Sequence, residues 1–424
     1  MLEMQKRLTN FFYAVLSLPA TAMGFALSIQ ISALSWIMRT QYNLDLHEIG
    51  IVWAAGPLAG IIGQPIVGLI SDKVWFWGGR RKPFVFIGAT LAALMLLALP
   101  NIQEINNIVG IGSIVFISTV TALTLDLAIN VSFNPTRSII ADVTPEGVPR
   151  TKGYTWMQTI SGTFGVAAYA IGALFGNYTL IYVGIFLVLL FSIPPMLLIK
   201  ESKELQYKSG EENDGANGED NTEWVEFTKV LLAHAFSWIG VQTMFIYIIG
   251  YIEQKLNPAS SDETGQIIAV SFLILNAVGA ILPAFILEPA TEKIGRVKTH
   301  LICVSVMSIA YWGIVLFGKS TVSLYVLMAL AGVGWAAIVS LPFAIMSEKV
   351  EKGRMGFFMG IFNLSVVLPQ LFVSLAVGYF VNAADDKNII FIISGVSLAI
   401  SAVLWMIVKE SKAIKADMAK HSSG

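Results

Sequence analysis

Apolar runs of about 20 residues, long enough for a helix to cross a hydrocarbon core of about 30 Å, recur along the whole chain. They fall at 11–38, 47–71, 84–103, 109–140, 154–175 and 179–199, separated by short polar or Gly/Pro-marked connections. A charged segment from Lys200 to Glu223 follows, containing GEENDGANGEDN. It has too few apolar side chains to bury a core and is expected to be a linker. Six more runs come after it, at 227–252, 264–287, 300–318, 321–345, 355–381 and 388–408. The pattern predicts an all-α membrane protein with twelve transmembrane helices in two pseudo-symmetric six-helix bundles. The expected parts are an N-terminal bundle 1–199, a cytoplasmic linker 200–226, a C-terminal bundle 227–410 and a tail 411–424.

Composition agrees with a bilayer as solvent: 55% of residues are hydrophobic, 13% are charged, and the mean hydropathy is +0.71. A net charge of -1 and a pI near 6.4 give no basic face for nucleic acid, so that class of partner is set aside. The one cysteine, Cys303, sits in an apolar run. The chain alone can therefore build neither a disulfide nor a cysteine-ligated metal site, and a small buried side chain is expected there. Met1 to Arg7 is short and polar with no cleavage pattern after it, so the first run is expected to be a span and not a signal peptide.

Lysine and arginine fall mostly on one side of the expected spans, with only Arg39, Lys255, Lys319 and Lys387 on the other. Because cytoplasmic loops retain positive charge, both termini and the linker are expected to face the cytoplasm. Arg137 belongs to neither side, since it lies within the fourth run together with Asp126. An ionisable side chain at such depth costs roughly 2.5 to 3.5 kcal/mol, so its presence asks for a reason. The two residues share a helix face but stand about 16 Å apart along the axis, too far to neutralise each other. Asn130 and Asn134 extend one polar stripe from Asp126 towards the cytoplasm, and Pro135 frees a carbonyl one turn earlier. Such a stripe suits a water-filled or ligand-filled cavity.

Two roles are open for this pair. Asp126 and Arg137 could each pair with neighbouring helices and hold the bundle together. Alternatively, a carboxylate reaching both compartments in turn loads and releases a proton, which is then the coupling ion, with no cofactor needed. Arg137 would tune that carboxylate from a distance or bind hydroxyls of the cargo. Other polar residues within the spans suit a sugar better than an apolar drug, since many hydroxyls need many donors and acceptors. The substrate-binding candidates are Gln30, Trp36, Gln64, Asn130, Asn134, Gln158, Gln242, Asn276, Asn363 and Gln370. The alternative for each is a hydrogen bond between helices. Trp36, Trp156, Trp312 and Trp335 could stack on a pyranose ring, whereas Trp75 and Trp405 are expected in the interfacial belt.

At the cytoplasmic ends, Asp72, Arg80, Arg81, Asp142, Glu146, Arg150, Glu292, Arg296, Glu348 and Arg354 form opposite-charge sets in both halves. They are expected to latch an inner gate. A weak internal repeat, with Gly79-Arg80-Arg81-Lys82 in one half matched by Gly295-Arg296-Val297-Lys298 in the other, supports the division into two pseudo-symmetric halves.

The stretch GPLAGIIGQPIVGLISDKVWFWGGRRKPF, with its lengthened gap between Asp72 and Gly79, carries a family resemblance together with DLAINVSFNPTRSIIADVTP, GWAAIVSLPFAIMS and GFFMGIFNLSVVLPQLFVSL. Over nearly its whole length the chain resembles the glycoside-pentoside-hexuronide cation symporters of the major facilitator superfamily. The similarity is to the branch holding plant sucrose-proton symporters and their animal and bacterial relatives. That resemblance implies the major facilitator fold, and it ties Asp126 and Arg137 to proton coupling and sugar binding. It implies import of an α-glucoside such as sucrose or maltose, or glucose, together with a proton; the compact loops look more like a bacterial member, so a monomer in the cell inner (plasma) membrane is expected. A sodium-coupled, melibiose-like symporter would want acids in helices 2 and 4, yet helix 2 offers none above Asp72. A proton-driven multidrug exporter would want a more apolar cavity. An enzyme is not expected, since no nucleophile motif, metal cluster or folded soluble domain is evident.

Overall fold

The computed structural model describes residues 3–61, 70, 74–145, 148–201, 222–351 and 355–410. Two compact units divide the chain, Met1–Asp214 and Gly215–Gly424.

Among the described residues the main helices of unit 1 are α1 (Asn10–Thr40), α2 (Leu46–Trp53), α3 (Lys82–Ala98), α4 (Ile114–Val143), α5 (Val148–Phe175) and α6 (Asn177–Leu198), with short helices at Glu3–Lys6 and Ile102–Val109 beside them. Local chemistry sets their starts. Thr9 and Ser113 accept amide bonds from Phe12 and Phe116 at the heads of α1 and α4, and Asp45 with Glu48 forms a capping box on α2. Pro83 occupies the first turn of α3, where its missing N–H would have had no helical partner. Helix α4 runs through Pro135 without a break.

Unit 2 repeats the scheme with α7 (Trp224–Tyr251), α8 (Ser261–Leu282), α9 (Arg296–Phe317), α10 (Thr321–Ile338), α11 (Met355–Phe372) and α12 (Ile389–Met406). Helix α7 begins at Trp224, three residues before the expected start at 227, where Trp224 packs edge-on against Phe227 and at a tilt against Phe358. Helix pairing within each unit follows one pattern. Helix α1 packs on α5 and α6, and α3 packs on α4 and α6; correspondingly α7 packs on α11 and α12, and α9 on α10 and α12. That is the internal repeat anticipated from the two sets of six apolar runs.

Among the described residues eleven helices are long and apolar enough to span a membrane, and the shorter apolar helix Leu46–Ile61 stands where the second span is expected. Each unit has its own core: Phe12, Leu16, Val85, Ile140 and Met196 in unit 1, and Phe227, Val230, Phe358, Phe362 and Trp405 in unit 2. Large apolar side chains also cover the outside, including Leu94, Phe186, Ile309 and Val326. That surface is stable only in lipid. Cys303 is buried, as expected. Trp405 departs from the belt expectation: it is fully buried, with its ring edge-on to His300 at 4.3 Å, because the start of α9 packs over the end of α12.

Candidate functional site

Asp126 lies near the middle of α4 with 6% of its surface exposed. Its Oδ2 accepts a 2.8 Å hydrogen bond from Gln30 Nε2 on α1, itself 2% exposed. Gly56 comes against the carboxylate from the helical stretch after α2; a Cβ there would stand 3.3 Å from Oδ2, tighter than most real contacts. The acid is thus held by one amide and one side-chain-free stretch of backbone. Gln30 Oε1 is buried without a hydrogen-bond partner among the described residues. A buried carbonyl oxygen left open in this way is uncommon and suits a changing or missing partner.

The rest of the α4 stripe has separate surroundings. Asn130 turns its amide back along the helix, donating at 2.8 Å to the Asp126 carbonyl, and Asn134 is half-buried. The Arg137 side chain is exposed, with its guanidinium 4.5 Å from the centre of the Phe133 ring. Trp36 is buried and meets Tyr178 edge-on at 5.2 Å, so its ring is already occupied. Gln158 is exposed on α5, and Gln64 lies outside the described residues.

Unit 2 offers neutral amides. Gln370 Nε2 reaches Gln242 Oε1 at 3.4 Å, which joins α11 to α7. Asn276 on α8 donates to the Phe272 carbonyl at 2.9 Å and accepts from Trp335 Nε1 on α10 at 3.1 Å. Asn363 is half-buried on α11.

At the linker end of unit 1, Arg80 and Arg81 converge on Asp142. Arg80 Nη2 lies 2.8 Å from Oδ1 and Arg81 Nε 3.1 Å from Oδ2, with both arginines buried. Arg150 instead donates to the carbonyls of Ala141 and Thr144, closing the C-terminal end of α4. In unit 2, Arg296 pairs with Glu348, while Glu292 is exposed. Asp72, Glu146 and Arg354 lie outside the described residues.

Two residues at these ends escaped the sequence reasoning. Glu201, just beyond α6, accepts from the backbone amides of Arg80, Arg81 and Lys82 at 2.8, 2.9 and 3.0 Å, seating a carboxylate on the N-terminus of α3. Glu410, just beyond α12, accepts from Val297 N at 2.9 Å at the start of α9. The signal was available: Lys200-Glu201-Ser202-Lys203 and Lys409-Glu410-Ser411-Lys412 are identical tetrapeptides at the ends of the two bundles.

A family model described as Major Facilitator Superfamily matches residues 16–374 and 230–421. Sucrose transport protein SUT2 of Oryza sativa subsp. indica is 25% identical, over 85% of this chain and 84% of its own. Sucrose transport protein SUC4 of Arabidopsis thaliana is 23% identical over 85% of this chain and 82% of its own. The general alpha-glucoside permease of Schizosaccharomyces pombe is 28% identical over a shorter stretch, 37% of this chain and 32% of its own. Among solved structures, a mutant of nucleoside transporter NupG gives a TM-score of 0.75 at 13% identity, over 94% of this chain and 100% of that one. The inward open xylose transporter XylE from E. coli gives 0.70 at 14% identity, over 96% and 98%. At those identities the structures speak for the fold alone, and it is the twelve-helix fold expected from the apolar runs. The chain belongs to the Major Facilitator Superfamily: it is a multi-pass membrane transporter and not an enzyme.

Proposed function

We propose that the protein is a proton-coupled sugar symporter that imports an α-glucoside such as sucrose or maltose by alternating access. The observation carrying this is the buried Asp126 carboxylate bonded to Gln30, in a chain similar to two sucrose transport proteins and, over a third of its length, to an alpha-glucoside permease.

Gln30 suits a proton site in both of its states. An ionised Asp126 needs a donor, and Gln30 Nε2 supplies one. A protonated Asp126 carries an O–H that needs an acceptor, and rotation of the same amide presents Oε1, which has no other partner among the described residues. The amide thereby links the charge on α4 to the position of α1. Within unit 2, Gln242, Gln370, Asn276 and Asn363 offer amide donors and acceptors of the kind sugar hydroxyls need, and within unit 1 the Arg137 guanidinium offers five donors. Removing the proton would restore the buried charge and favour the state in which water reaches it. The lysine and arginine bias supports placing both termini and the linker in the cytoplasm; the protein is further proposed to act as a monomer in the plasma membrane.

The test is uptake of labelled sucrose, maltose and glucose into proteoliposomes under an imposed pH gradient. Wild type is expected to accumulate at least one sugar against its gradient, and Asp126→Asn to equilibrate it without accumulation. Unchanged uphill uptake by Asp126→Asn would remove the carboxylate from coupling. Accumulation driven by sodium and indifferent to pH would favour the sodium-coupled alternative.

A further inference from the structure

A cavity outside the candidate site residues lies in unit 2, where the start of α9 meets the end of α12. Its volume is about 650 Å³, and its walls include Lys293, Lys298, Lys409, Leu301, Trp405 and Met406. Both helices are membrane spans, and the cavity sits at the first turn of one and the last turn of the other. It therefore opens at the depth of lipid headgroups.

Charge and shape at this place point the same way. All three lysines are exposed, and none makes an ion pair among the described residues. Glu410 is the one carboxylate among the lining residues, with one oxygen committed to the Val297 amide, while Glu226 accepts from Lys409 N at 2.8 Å. From the cavity towards the bilayer interior, the two helices carry exposed apolar side chains: Ile302 and Ile309 on α9 are 52% and 65% exposed, and Val403 and Met406 on α12 are 60% and 65% exposed. Trp405 brings a buried indole N–H that has no partner among the described residues.

We propose that this cavity binds an anionic phospholipid, with its phosphate held by Lys293, Lys298 and Lys409 and an acyl chain lying along the exposed faces of α9 and α12. Basic pockets between membrane helices recognise such headgroups through this combination of charge and depth. The chain's own tail beyond Glu410 is a poor occupant, because Lys412, Lys415 and Lys420 outnumber Asp417 and would be repelled by the same three lysines. Free phosphate would satisfy the cations and leave the apolar walls open. The identity of the transported solute plays no part in the proposal.

The full-length protein in mild detergent is titrated with phosphatidylglycerol, phosphatidylcholine or inorganic phosphate, following lipid retention by native mass spectrometry and the thermal midpoint in parallel. Phosphatidylglycerol is expected to be retained and to raise the midpoint, while the other two leave it unchanged. Combining Lys293→Gln, Lys298→Gln and Lys409→Gln is expected to weaken retention on the order of a hundredfold, each basic side chain near an anionic headgroup counting for roughly fivefold. The corresponding triple arginine variant should keep it. Lys298→Glu alone, a change at an exposed position, is expected to weaken retention at least about tenfold. Equal retention of phosphatidylcholine, stabilisation by phosphate alone, or indifference to Lys298→Glu would each overturn the proposal.

Discussion

In unit 1 the Glu201 carboxylate takes three successive amides at the head of α3, whereas in unit 2 Glu410 takes, among the described residues, the single amide of Val297 at the head of α9. The neighbouring cations differ in the same sense. Arg80 and Arg81 are both buried and share Asp142, while Arg296 meets Glu348 with side chains 36% and 26% exposed. Even the shared glycine serves two purposes. A side chain at Gly79 would collide with the Glu201 carboxylate, whereas Gly295 has a φ of +87° that L side chains rarely adopt. Nearly the same local sequence has thus been set into two environments, one shielded and one wet. Because charge interactions strengthen as water is excluded, the two clamps should carry unequal weight.

That inequality can be tested by unfolding the detergent-solubilised protein. Asp142→Asn is expected to be the most damaging change, at about 3 to 5 kcal/mol, since two buried guanidinium groups lose the carboxylate they share. Glu201→Ala should follow at roughly 3 kcal/mol, because three amides at a helix head lose a charged acceptor. Glu410→Ala removes one such bond and should cost about 1 kcal/mol, in the range of a lost helix cap. If Glu410→Ala proved as costly as Glu201→Ala, the contrast between the units would be wrong. Glu348→Gln should cost less than about 1 kcal/mol and should become indistinguishable from wild type in high salt, as partly exposed pairs do.

The smallest effect belongs to Asp386 at the other end of unit 2. The Lys255 ammonium at 2.7 Å and the Asn388 amide hold its carboxyl below the usual carboxylate range. A depressed folded-state value means that the stabilisation is complete above the ordinary carboxylate range and fades as pH falls towards the folded value. With Asp386 62% exposed, the amount should stay below about 1 kcal/mol. Comparing unfolding of wild type and Asp386→Asn from neutral to acidic pH checks it: the two curves should converge only at the acidic end.

Several features of the site were open to inspection in the chain. Asp126 stands out because a carboxylate inside an apolar run has few benign explanations, and Asn130 and Asn134 follow from helical spacing alone. The partner of Asp126 could not be found that way, since Gln30 is 96 residues distant and looks like any amide in a span. Glu201 was concealed among the acids of a segment expected to be a linker, although the repeated Lys-Glu-Ser-Lys marked it. Trp405 looked interfacial because it lies at the end of a span, and the packing of α9 against α12 buries it instead.

By itself the sequence determined that the chain crosses a bilayer many times, that it does so as two related sets of helices, and that one acid stands at depth. Those properties depend on hydropathy and period, which are summed over neighbouring residues. Tertiary structure alone decided which amide meets that acid, which arginines share Asp142, and which of two like clamps is sealed from water. Each of those depends on how closely separate stretches of backbone approach, a distance that no local pattern encodes.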